Sequence, residues 1–347
     1  MAKKTSIGGQ ALIEGIMMKG PYKTSMAVRK KDGTIDISEV EEKHLKDKCS
    51  IFGWPIIRGM VNLIEAMKTG YKTMMKSADI SGFTDLEEEQ PEEMKTAETV
   101  ESIPEAEGQP AEGSKEETKD EKSSDKKESV ITAVIMSIGA ILGVVLALVL
   151  FMYLPSLAFD GVDYLIPADL SSFRGLIEGV LKMAIFISYI AIVSLEKDIK
   201  RVFMYHGAEH KTIFCYESGK ELTVENVRGF KRFHPRCGTS FMFLMLAIGI
   251  LISSALVVVL PPEFVANKLI WVPLKILLLP LTCGLGYELI KICGKHDNWI
   301  TRIIAAPGLW IQRLTTKEPD DGMIEIAIAA VNEVIPDDGS DEVGCCK

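Results

Sequence analysis

Val130 to Leu154 is a run of 25 residues without one charged side chain. At about 1.5 Å per residue a helix of that length crosses a hydrocarbon layer of about 30 Å with some tilt, a span that a soluble core helix rarely needs. Three further apolar segments follow, at 176–195, 241–260 and 273–293. In lipid, backbone polar groups must be satisfied within the segment, which selects helices. The expected fold is therefore mainly α: a polytopic membrane protein with four transmembrane helices. The first run begins at residue 130, too far along the chain for a cleaved leader. Glu178 and Lys182 lie four apart in the second segment, where they are expected to pair and snorkel.

The basic residues set an orientation. Pro155 to Ser172 has no Lys or Arg and Pro261 to Val272 only Lys268, whereas Glu196 to Ser240 holds nine. The positive-inside rule then places that middle loop and both termini in the cytoplasm of a bacterial cell membrane. Trp271 falls at the outer boundary and Trp299 and Trp310 just past the inner one. The cysteines are cytoplasmic, at the inner boundary or, for Cys283, inside a helix, so they are expected to be reduced thiols.

A charged fraction of 25% coexists with a mean hydropathy of +0.18 because the two residue classes are segregated. Residues 85–129 hold 17 acidic residues and 6 lysines, a local charge of -11 against a total of -9, which leaves the remainder near +2. This stretch has no aromatic residue and too few aliphatic ones to offset the entropy of ordering, and reads as a disordered acidic linker. The basic remainder is expected to face the bilayer and anionic lipids of the inner leaflet, with no nucleic acid as partner.

Four regions follow: a cytoplasmic N-terminal segment over 1–84, the linker, a membrane domain over 130–314 and a C-terminal tail over 315–347. In the first, Ser25–Arg29 and Thr34–Ser38 flank Lys30-Lys31-Asp32-Gly33, a hairpin signal that makes this segment β-containing. From Pro55 to Met75 apolar residues recur at helical spacing opposite Lys68, Lys72 and Lys76. That amphipathic helix either lies on the inner leaflet or packs on the strands and membrane helices. Residues 300–314 read as a second interfacial segment, and 321–334 as a short amphipathic helix with Asp320 as N-cap.

The chemistry concentrates in one short run. His206 and His210 are two of only five histidines, and four residues of helix put both imidazoles on one face. With Glu209 they form H-x-x-E-H, the inverted zinc-protease pattern, in which histidines hold a divalent metal, zinc by preference, and the Glu is the general base. Three residues are candidates for the third ligand: His234, Cys237 and Glu288, each expected near the inner membrane boundary. With His234 or Glu288 one coordination position stays open for catalysis. With both His234 and Cys237 the four ligands close a structural site.

The runs GGQALIEGIMMKGP (Gly8 to Pro21), WPIIRGMVNLIE (Trp54 to Glu65), YHGAEHKTI (Tyr205 to Ile213), HPRCGTSF (His234 to Phe241) and PGLWIQRLTTKEP (Pro307 to Pro319) resemble the YqhQ-like family of bacterial multi-pass membrane proteins. That is a domain of unknown function labelled a predicted metal-dependent enzyme. The resemblance implies that His206, Glu209, His210, His234 and Cys237 are the positions of interest. It also implies that the glycine-rich N-terminal run and the middle loop form one unit. A metal-dependent hydrolase at the cytoplasmic face is the functional expectation; a non-enzymatic scaffold binding lipid or an unidentified protein, and then a transporter, are its rivals.

Overall fold

The computed structural model describes residues 4–41, 50–83, 139, 141–166, 169–295 and 298–342. The acidic linker, the first residues of the run from Val130, and Cys49, Cys345 and Cys346 lie outside the described residues. The protein is mainly helical with a small N-terminal sheet of four antiparallel strands in sequential order: β1 Gly8–Leu12, β2 Gly15–Lys19, β3 Thr24–Arg29 and β4 Ile35–Glu39. The expected hairpin is β3–β4, closed by Asp32, whose carboxylate accepts from the Thr34 backbone and hydroxyl, and by Gly33 at φ 84°. A left-handed residue in that turn suits glycine because it has no Cβ to clash.

Both faces of the sheet are covered. Leu12, Met17, Met26 and Val28 pack with Met74 and Ile80 of helix α1 (Ile57–Ser81). Ala11, Ile16, Met18 and Ala27 point the other way, into a core shared with Tyr205 and Ala208 of α4 (Lys197–Glu217) and with α9 (Asp321–Asn332). This is the period-2 alternation of strands buried on two sides. Asp320 caps α9 as expected, accepting from the Met323 N–H at 2.8 Å. The helix is not a surface accessory, however: Met323, Ile324, Ile326, Ala327, Ala330 and Val331 are all buried.

The apolar helices are α2 (Ile141–Leu165), α3 (Arg174–Val193), α5 (Gly238–Val259) and the pair α6 (Lys268–Leu277) and α7 (Leu279–Lys295). Three are long and apolar enough to cross a membrane, and a fourth follows if the bent pair counts as one. The second and third match the expected segments within a few residues. The first runs past Leu154 to Leu165 because a π turn at Val149–Tyr153, with Leu154 N–H bonded to Val149 O, makes room for Pro155. The fourth breaks by about 40° between Leu277 and Leu279. Pro280 lacks an N–H and its ring conflicts with the carbonyl one turn back, so the helix cannot run straight through.

The expected Glu178–Lys182 pair does not form. Glu178 accepts instead from Arg174 Nε at 2.9 Å, Trp271 Nε1 at 2.9 Å and Lys275 Nζ at 2.7 Å. A carboxylate with three donors from two helices is satisfied without the neighbouring lysine.

Candidate metal centre

The middle loop is largely one helix. After a break at Ser194–Glu196, α4 carries His206, Glu209 and His210 on one face and buries Glu209 and His210. Gly207 lies beside that face, about 100° round the helix from His206, where the 316–319 segment crosses so closely that a Cβ would overlap the Lys317 carbonyl; Lys317 N–H bonds Phe203 O at 2.8 Å. That segment is the exit from helix α8 (Trp299–Thr315), so the α8 terminus is held against α4.

Each imidazole is fixed by a backbone carbonyl. His206 Nδ1 lies 2.8 Å from Thr315 O, and His210 Nδ1 lies 2.5 Å from Arg232 O. A carbonyl only accepts, so both Nδ1 atoms carry the proton and the lone pairs of the neutral rings are on Nε2. His206 Nε2 is 3.1 Å from Cys237 Sγ, and the ligand atoms of His206, His210 and Cys237 lie within 4.8 Å of one another. The two rings meet edge to face with centroids 4.4 Å apart. Burial opposes ionisation of the Cys237 thiol, yet contact with His210 and the Thr239 hydroxyl hold it below the ordinary thiol range. Cys237 is also the N-cap of α5, where the helix dipole favours negative charge.

Glu209 reaches the same place from α4. Its Oε1 accepts the Gly9 N–H of β1 at 3.1 Å, while Oε2 is buried without a hydrogen-bond partner among the described residues. Burial pushes this carboxyl up to about 7, and the nearby Cys237 adds to the shift while His206 opposes it. A Cβ at position 9 would press on Met17 O and the Glu209 carboxyl, so glycine is what lets the strand approach.

Of the candidates for third ligand, Cys237 alone joins the two histidines. His234 is adjacent, its ring centroid 5.6 Å from that of His210, but its nitrogens face elsewhere. Nδ1 accepts the Arg236 N–H at 3.3 Å and Nε2 lies 3.7 Å from Glu217 Oε2. Glu288 is held away from the cluster by Arg58 of α1, whose Nε and Nη2 donate to its two oxygens at 2.6 and 2.5 Å. A bidentate guanidinium leaves little of that carboxylate free to ligate.

Several residues that build the site escaped the sequence reading. The Gln312 amide clamps the His234 backbone, accepting its N–H and donating to its C=O, both at 2.7 Å, and so sets the loop that carries Cys237. Glu217, two turns beyond His210, accepts the Thr5 N–H at 2.9 Å and pairs with Arg236. Helical spacing from His210 was the available signal for Glu217; Gln312 left none, because its partners are backbone groups far away in sequence.

The chain is 30% identical over 331 residues to "Uncharacterized protein YqhQ" of Bacillus subtilis (strain 168), an alignment covering 94% of this chain and 92% of that one. No solved structure matches it. The family described as "Protein of unknown function (DUF1385)" matches residues 54–337, which include all three converging side chains and Glu209. The chain belongs to that family.

Proposed function

We propose that this is a four-span bacterial cell-membrane protein with a metal-dependent hydrolytic site at its cytoplasmic face. The single observation that carries the reading is the convergence of His206, His210 and Cys237, with both Nδ1 atoms already committed to carbonyl oxygens. That second bond is what metal-ligating histidines typically make, since it fixes the tautomer and aims Nε2. The donor set suits a divalent ion of the zinc type, and three protein ligands leave one position open. A metal held there supplies Lewis acidity. Glu209 is fixed through Oε1 by Gly9, and its unpartnered Oε2 is the atom that takes a proton from the nucleophile and returns it to the leaving group.

The membrane placement is supported by the lengths of the apolar helices and by the Lys and Arg bias of the chain between α3 and α5. Exposed Trp54, Met67 and Tyr71 beside Lys68 and Lys72 on or near α1, and exposed Trp299, Ile303 and Trp310 on α8, support contact with anionic lipid at the inner leaflet.

A second reading rests on the 3.1 Å contact itself. A Cys237 thiolate beside His206, at the N-terminus of α5, is the arrangement of a nucleophilic cysteine for acyl transfer. Metal analysis of detergent-purified protein separates the two. The first reading predicts one equivalent of divalent metal per chain in wild type and none in His206→Ala/His210→Ala. No stoichiometric metal, with rapid iodoacetamide alkylation of Cys237 near pH 6, selects the second.

A further inference from the structure

The apolar helices line a half-open cavity of about 270 Å³. Its wall includes Met152 of α2, Lys182 and Phe186 of α3, Gly249 of α5, Lys275 of α6 and Thr282 of α7. It therefore adjoins the break between α6 and α7, and broken helices recur at membrane binding sites. An engineered apolar void of about 150 Å³ stays dry and binds small apolar molecules. This cavity is larger, and two lysines, Lys182 and Lys275, stand in a lining that is otherwise apolar apart from Ser253 and Thr282.

The charges around it do not balance. Asp160 pairs with Arg174 and Lys268, and Glu178 with Arg174 and Lys275. Three cations already share two carboxylates, and Lys182 is a fourth. The contact of its Nζ is Met152 Sδ at 3.9 Å; among the described residues no carboxylate lies within ion-pair distance. Lys182 also stands at the middle of the 23-residue stretch Ser171–Val193. Half of that stretch is about 17 Å at helical rise, beyond the reach of a snorkelling lysine. A compensating anion would hold the charge of an ammonium at that depth, because desolvation without a partner is costly and favours the neutral amine.

We propose that this cavity binds an anionic amphiphile, an aliphatic chain ending in a carboxylate or phosphate, with its headgroup on Lys182 and its chain along the apolar wall. The site is separate from the His206–Cys237 cluster, and the depth argument rests on the four-span reading. Retention of the protein in carbonate-washed membranes tests that reading on its own.

The binding test uses the full chain in nanodiscs of zwitterionic lipid, titrated with radiolabelled decanoate. One saturable site per chain is expected, displaced by decyl phosphate and at least tenfold less well by decanol or inorganic phosphate. Lys182→Met keeps the shape and removes the charge; it is expected to weaken decanoate at least tenfold and leave decanol unchanged. At Gly249 a Cβ would meet only Thr282 Cγ2, at 3.7 Å, so the backbone there accepts a side chain, and Gly249→Leu, which places bulk in the cavity, is expected to abolish binding with Lys182 intact. Lack of saturable binding, equal competition by decanol, wild-type affinity in either variant, or full displacement by inorganic phosphate overturns the proposal.

Discussion

His206 Nε2 and Cys237 Sγ lie 3.1 Å apart although the two residues come from different elements, one from the middle of α4 and the other from the N-cap of α5. The contact joins a helix that packs against the β-sheet to one of the apolar bundle. If the cluster holds metal, Cys237→Ser should weaken zinc affinity by more than about 100-fold, since even outer partners of metal ligands contribute 10- to 100-fold. Competition with a chromogenic chelator measures this directly, and unchanged affinity would remove Cys237 from the set.

Glu288 makes the opposite prediction. Its carboxylate is on Arg58, so Glu288→Gln should leave metal content as in wild type while loosening α1 from α7. The pair is partly exposed, with side chains 30% and 23% accessible, so a double-mutant cycle with Arg58→Ala is expected to give only a small coupling. Loss of metal in Glu288→Gln would return this residue to the ligand set.

Gly207→Ala tests the crossing of α4 by the 316–319 segment. In an unencumbered helix this change stabilises by about 1 kcal/mol, because alanine is the better helix former. Here the new Cβ would overlap the Lys317 carbonyl, so the sign should reverse: a lower melting temperature and reduced metal content together. A rise in melting temperature would show that the segment moves aside freely.

Acid sensitivity should trace to Glu217. Burial works against its charge, yet His234, the Thr5 N–H and Arg236 together bring its pKa down to about 2 from 4.5. A depressed carboxylate pKa contributes stability that is fully present above pH 4.5 and lost as pH falls toward 2. The shift corresponds to about 3 kcal/mol by linkage. Melting temperatures of the wild type should therefore fall more steeply between pH 5 and pH 3 than those of Glu217→Gln. Parallel curves would show that the ion pairs around Glu217 do not govern the acid limit.

By itself the sequence determined what depends on neighbours along the chain. Uncharged runs specify helices suited to lipid, Asp32-Gly33 specifies the β3–β4 turn, Asp320 specifies the start of α9, and a spacing of four specifies that His206 and His210 share a face. These follow from helical and strand periods and from residues whose side chains bond their own backbone. Only the tertiary structure decided the partners. Cys237, His234 and Glu288 are equivalent as candidates in sequence, and three distant contacts sort them: Gln312 positions the His234 loop, Glu217 and Arg236 engage the His234 ring, and Arg58 takes Glu288. The missing ion pair at Lys182 has the same origin. Glu178 sits four residues from Lys182, but a carboxylate bonds whichever donors the packed helices bring nearest, and α6 brings Trp271 and Lys275.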